Sequence, residues 1–393
     1  MKLQPTGKLF DDKPYETGFT ARILSAAPEG GRIALVLEET LFFPEEGGQN
    51  PDTGEIEGFA VRDVQIRDGV ITHYLEPGEG WEEIFTEGKN VSGRIDWTPR
   101  FSNMQNHTGE HILSGILYKK YGYQTVGFHL SPQIVTLDTS GPLTEAQVRE
   151  LERDANRAVW ENVAVTVEYP PRDRLADMFY RSKGEIEGPV RVVTIEGYDA
   201  CACCAPHVKR SGEIGLILIL KHEHYKGGTR FTFVCGMRAL EAVQRDRSCI
   251  KSLTDLLTTS ADELSSSVKN IMAESENRKQ RGDRLMKKQA EMMIASQPET
   301  DGSIWLFDQE FDDQAKRILI NGLVKKTAGY AGIFSGNDRT GYHFIAGSAA
   351  LDARTVSTAL RNGLGARGGG SPAMTQGHVK ADRQSIEKIL GTL

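Results

Sequence analysis

Two short stretches carry side chains fit for metal chemistry. His107-Thr-Gly-Glu-His111 sets two imidazoles four positions apart inside Met104–Tyr121, a segment that reads as helix. Positions four apart differ by about 40° around a helix axis, so both rings leave one face. Cys203-Cys-Ala-Pro-His207 sets a thiol and an imidazole at the same separation, in a proline-containing stretch that reads as a loop after the strand Val190–Glu196. Each half alone has an ordinary reading, as surface histidines or as a buried cysteine beside an exposed histidine. Together they offer three nitrogens and a sulfur, and zinc suits that mixed set at about 2.0–2.3 Å. His107, His111, Cys203 and His207 are therefore the expected zinc ligands, with Cys201 and Cys204 as rivals that spacing does not exclude. Four protein ligands close a site, whereas catalysis needs an open position. If one ligand is loose, it is His207.

Glu110 completes an H-x-x-E-H pattern known from zinc proteases, where the glutamate is a general base. It lies about 60° from His107 and about 100° from His111 around the axis. It can flank the metal or face solvent. A cysteine ligand speaks against a protease, whose third ligand is normally a carboxylate.

The elements that must position these groups are mixed. Ile112, Leu113, Ile116 and Leu117 follow helical spacing, and Thr144-x-x-Gln147 is a capping-box signal for a second helix bearing Val148, Leu151 and Ala155. Val163–Tyr169, Val190–Glu196 and Ile214–Leu220 read as strands, the last pairing with Thr229–Cys235 across Gly227-Gly228. The first ninety or so residues are β-rich, with Arg32–Glu38 and Phe59–Ile66 as strands, and suit a small barrel. Leu240–Ser296 is polar and helical, with Ser260 as a cap ahead of Leu264, Val268 and Ile271. Pro298–Gly302 reads as a linker. Beyond it, Ile304–Phe307 and Tyr342–Ala346 resemble strands, Gln314–Thr327 and Val356–Gly363 helices. The class is α+β.

The chain has 393 residues, 39% hydrophobic and 26% charged, which is a globular balance with material for more than one core. Its formal net charge of −7 excludes a nucleic-acid binder that works by overall basicity, so such contact would need local patches. Two are available. One is Arg278–Lys288 on the helical arm, with Asp283 as its single acid. The other is Arg367-Gly-Gly-Gly370, whose open backbone amides and cation suit phosphate, although an isolated glycine run is more often a flexible loop. No long apolar run and no signal-peptide pattern is found, so the expected location is the cytoplasm with no membrane partner. Five cysteines, three of them within Cys201–Cys204, argue against a disulfide framework.

These motifs resemble, in order, the editing and C-terminal domains of alanyl-tRNA synthetases and the freestanding long-form AlaX editing proteins. Phe42-Phe-Pro-Glu-Glu-Gly-Gly-Gln49 with Asp52-Thr-Gly54, His107–His111, Cys203–His207 with Ser211–Gly215, Gly236-Met-Arg238, and Gly363–Pro372 with Met374–Gly377 carry the resemblance. It departs at Cys-Cys-Ala-Pro-His and at Glu110, where a small residue is common. No aminoacylation core and no Asp-His-His triplet is read.

The resemblance implies a zinc-dependent hydrolase that removes serine, or glycine, from mischarged tRNA(Ala). It implies a barrel over 1–92, a zinc-binding editing core over 93–240, a helical arm and linker over 241–300, and an α/β glycine-rich, tRNA-binding domain over 301–393. Dimerisation through the arm or the last domain is a further expectation. Gly47 and Gly48 would let backbone amides meet the substrate, Gln49 would offer its amide, and Thr108 would read a serine hydroxyl. Glu110 stands with Gln49 and Thr108 as a candidate catalytic residue. Arg367, Gly368, Gly369 and Gly370 would touch phosphate. The rival reading is a tRNA-binding protein with structural zinc and no activity.

Overall fold

The computed structural model describes residues 4–182, 184, 188–308 and 312–393. The chain divides into two compact units, Met1–Ile250 and Lys251–Leu393. Both mix helix and sheet, as the α+β class requires.

In the first unit six strands close a barrel: Gly18–Glu29, Arg32–Leu37, Val70–Leu75, Phe59–Arg67, Gly54–Ile56 and Asn90–Ile95. Alternation supplies its core. Ile71, His73 and Leu75 point inward from one strand, Val91 and Ile95 from another. Gly54 is required where strands meet, since a Cβ there would lie 2.1 Å from the Arg94 carbonyl oxygen.

The helix Trp97–Tyr121 follows the barrel directly and is the site's spine. It starts two turns before the segment read from the sequence, because Trp97 and Phe101 stack on each other (ring centroids 5.2 Å apart) and Arg100 is drawn inward. Arg100 Nε donates to both oxygens of Asp52 at 3.1 and 2.9 Å, with neither side chain reaching solvent. Asp52 Oδ2 also accepts the Phe43 amide at 2.7 Å. This buried pair fastens the helix to the segment that carries Gly47, Gly48 and Gln49. The helix ends at Gly122, left-handed at φ 69°, with Lys119 and Lys120 complementing its dipole.

An antiparallel sheet packs beside the helix in the order Ile217–Tyr225, Gly228–Cys235, Val135–Thr139, Thr125–Leu130. A second has the order Val165–Glu168, Val192–Ile195, Asp199–Ala202. Helix Glu145–Glu161 begins on the expected capping box, Thr144 with Gln147. The strand expected at Ile214 starts instead at Ile217, because Ser211–Ile214 forms a tight 3-10 turn closed by Gly215 at φ 79°.

In the second unit helix Leu264–Ser296 begins after Glu263 rather than at Ser260, whose Oγ accepts the Glu263 amide in the preceding turn. Its C-terminal part buries Ala290 against Leu319, Leu323 and Ile333. The five-stranded sheet runs Ile304–Asp308, Ala331–Asn337, Gly341–Gly347, Met374–Val379, Arg367–Gly370. Asp313–Leu323, Arg354–Leu364 and Arg383–Leu390 are helices. Among the described residues no helix is long and apolar enough to cross a membrane.

Candidate metal centre

His107, His111, Cys203 and His207 come together with one donor atom each, all within 4.8 Å of one another. The helix contributes the first two rings. The loop after strand Asp199–Ala202 contributes the others.

Each imidazole is held from behind at Nδ1. His107 Nδ1 lies 2.8 Å from Gln49 Oε1, a pure acceptor, so this nitrogen carries the proton. His207 Nδ1 lies 3.0 Å from Thr108 Oγ1, which already donates to the Met104 carbonyl at 2.7 Å and so can only accept. His111 Nδ1 lies 3.1 Å from Asp199 Oδ2. In His107 and His207 this leaves Nε2 with its lone pair free. The Nε2 atoms of His107 and His207 stand 3.5 and 3.4 Å from Cys203 Sγ. Tetrahedral bonds of about 2.05 Å to nitrogen and about 2.3 Å to sulfur set N–S separations of roughly 3.6 Å. The donor set therefore fits a metal ion.

Electrostatics favour the ligating forms of Cys203 and His207. Burial alone would push the Cys203 thiol up, but His107 and His207 beside it hold it well below its ordinary value, toward thiolate. Burial takes His207 down to about 3, so it is neutral. Burial also works against charge on His111, yet Asp199 and Cys203 outweigh it and raise its pKa well above the usual imidazole value. Cys201 is pushed up to about 11 and Cys204 higher still, chiefly by burial. Cys201 meets His111 and Asp199 rather than the three histidines, and Cys204 faces Glu46 and Gly47. His207, the ligand expected to be loose, is 3% exposed, with Nδ1 against Thr108 and Nε2 3.4 Å from Cys203 Sγ.

A cavity of about 540 Å³ opens over this cluster, lined among others by Lys8, Gly47, His107, Glu110, His111 and Arg181.

Two stretches match known family models: residues 190–231 the threonyl and alanyl tRNA synthetase second additional domain, and residues 17–99 the class II (A) tRNA synthetases. The alanine–tRNA ligase of Pyrococcus abyssi is 31% identical over all of this chain and 44% of its own length. The alanyl-tRNA editing protein AlaX-L of Pyrococcus horikoshii is 31% identical over 59% of each chain. The mouse alanyl-tRNA editing protein Aarsd1 is 28% identical over 78% of each. The chain is thus similar to alanyl-tRNA editing proteins and to the matching part of alanine–tRNA ligases. It spans less than half the length of the ligases it matches. The crystal structure of the C-Ala domain from Aquifex aeolicus alanyl-tRNA synthetase is similar over 25% of this chain and 97% of that one. That likeness has 21% identity and a TM-score of 0.21, too low to define a fold.

Within this centre several residues take other parts than their motifs suggest. Thr108 is fully buried and its hydroxyl is spent on Met104 and His207, so it does not face the cavity to read a substrate hydroxyl. Gln49 is likewise fully buried behind His107. Gly48 serves packing: at φ 85° its Cβ would lie 2.4 Å from the Phe128 carbonyl oxygen. Gly47, at φ 65°, does line the cavity. Glu110 does not face solvent. It is 6% exposed on the cavity wall.

The glycine run is a strand rather than a flexible loop. Arg367–Gly370 pairs with Met374–Val379 at the sheet edge, and Gly368 and Gly369 line a second cavity of about 670 Å³ with Lys316, Arg317 and His343.

Sequence reasoning missed Asp199 and Arg181. Asp199 backs His111 and is gripped by Arg181 through Nε at 2.7 Å and Nη2 at 2.8 Å. Burial pushes Asp199 up, but Arg181 and His111 hold its carboxyl below the usual range. The one signal was an acid two residues before Cys201.

Proposed function

We propose that this chain is a trans-editing hydrolase that cleaves serine, and also glycine, from mischarged tRNA(Ala) at a zinc centre formed by His107, His111, Cys203 and His207. The observation that carries the reading is the convergence of one nitrogen from each of three histidines and the Cys203 sulfur beside a cavity large enough for an aminoacyl ester. The mixed nitrogen and sulfur donors favour zinc. The related proteins named for alanyl-tRNA editing support the substrate class.

Bound zinc would supply positive charge beside the ester carbonyl. The chain's own residues do the rest. Gln49, Thr108 and Asp199 lock the ring orientations, so the donors need no rearrangement. Gly47 leaves the wall open to the ester. Arg367–Gly370, with Lys316 and Arg317 near them, take tRNA phosphate. Exposed Leu253, Leu256, Val268 and Ile271 on the arm support pairing with a second copy. The expected place of action is the cytoplasm, where tRNA is charged.

One observation favours the rival reading of structural zinc with tRNA binding alone. All four donors come from the protein and sit tightly, which is the closed arrangement. Hydrolysis of Ser-tRNA(Ala) beside Ala-tRNA(Ala), by protein of known zinc content, separates the two. Selective serine release, lost on chelation, is expected. A zinc-loaded protein that binds tRNA(Ala) without releasing serine would establish the rival.

A further inference from the structure

The acids of the cavity are not equivalent. Asp11 is paired with Arg191 at 3.2 Å, and Asp199 is taken by Arg181 and His111. Glu46 is shared with Cys204. Among the described residues Asp11 Oδ1 and Glu46 Oε2 are also buried without a hydrogen-bond partner, and Glu110 is set apart by its place on the helix beside His111. Its side chain is 7% exposed, and Oε1 accepts the Ser114 hydroxyl at 2.5 Å. Ser114 is itself fixed against Thr125 at 2.7 Å. Oε2 has no hydrogen-bond donor among the described residues. Its nearest ionisable neighbour is His111 Nε2 at 3.9 Å. A locked carboxylate thus presents one acceptor oxygen to the cavity.

An acceptor oxygen that opens only onto a cavity takes its donor from what enters the cavity. We infer that Glu110 is a specificity residue that takes the α-ammonium of the aminoacyl ester, an inference that rests on the editing reading above. An aminoacyl ester carries a cation with three N–H donors close to the carbonyl it presents for cleavage. Inside a cavity, a charge-assisted bond to a carboxylate is worth more than at an open surface. The same contact explains what the site would refuse. Uncharged tRNA has no ammonium. An ester whose amine is already in a peptide bond has none either. Glu110 therefore sorts free aminoacyl esters from N-blocked ones, whichever small side chain they bear.

The test uses non-hydrolysable 3′-amide analogues of adenosine bearing either a seryl group or the neutral glyceroyl group, which replaces the ammonium by a hydroxyl of similar size. Calorimetric titration of the zinc-loaded chain should favour the seryl analogue by roughly 10- to 100-fold. Glu110→Gln keeps an acceptor for Ser114 but turns a donor toward the cavity. It should bind both analogues alike, with glyceroyl affinity unchanged. Equal wild-type affinity for the two analogues overturns the assignment and leaves the editing reading standing, even if the variant misfolds. Equal weakening of both by Glu110→Gln makes Glu110 a wall residue only. A wild-type chain that binds neither analogue removes the editing reading itself, and the role of Glu110 with it.

Discussion

The metal centre and the glycine strand are both marked by short motifs, yet the fold treats them in opposite ways. At the centre every imidazole is buried and braced from behind, by Gln49, Asp199 or Thr108. At Arg367–Gly370 all four residues are exposed, and the strand has a neighbour on one side only. Preorganised donors suit a small ion that must be held at fixed bond lengths. An open edge with a cation suits a large, charged partner whose grip is summed over many weak contacts. Spacing thus identifies which groups act, while burial tells how large a thing they act on.

The sharpest way to break that contrast is to remove a donor. His111→Ala should abolish zinc uptake and serine release together, a loss beyond the roughly 100-fold expected from disturbing an outer partner. Elemental zinc counting on the purified variant checks it. A wild-type zinc content would take His111 out of the ligand set. Asp199→Asn comes next. It keeps the shape but weakens the brace, and zinc affinity measured against a competing chelator should fall about 10- to 100-fold. An unchanged affinity would mean that burial alone orients His111.

The four donors were legible because helix geometry and loop spacing constrain them directly. The cap at Thr144 was legible for the same reason, since Gln147 closes it three residues on. What surrounds the donors was not. Asp199 reaches His111 only because the hairpin pairing Val193 with Cys201 sets its register. Arg100 and Asp52 are 48 residues apart and look like ordinary surface charges in the sequence. Thr108 and Gln49 stood in motifs, but no motif says whether a hydroxyl faces the cavity or the back of a ring. The glycine run misled because strand propensity was overridden by close approach: a Cβ at Gly368 would lie 2.2 Å from the Gln376 carbonyl oxygen.

His73 supplies a control, a buried histidine with no ligand to hold. Its Nε2 lies 2.8 Å from Thr40 Oγ1 and its Nδ1 3.0 Å from the Leu35 carbonyl oxygen, inside the barrel. Burial lowers its pKa from 6.5 to about 4. Between those values the unfolded chain binds more protons, so stability present above about pH 6.5 is lost as pH falls toward 4, by up to about 3 kcal/mol. Urea midpoints of the first unit's transition at pH 7 and pH 4.5 should therefore diverge less in His73→Gln than in the wild type. Equal divergence would assign the acid sensitivity to other groups.

The smallest effect belongs to the exposed strand. Gly369→Ala meets nothing within 4 Å, so the fold should tolerate it, and it reports only on what approaches the backbone. Arg367→Ala removes a charge without touching the core, since the residue is exposed. If the strand takes phosphate, the variant should lose only a few-fold in tRNA affinity, and the slope of log affinity against log salt should fall by about 1. Serine release at saturating tRNA should not change. That combination would set the second cavity apart as a docking surface. An unaltered salt slope would remove Arg367 from the contact and leave Lys316 and Arg317 as the cations to test.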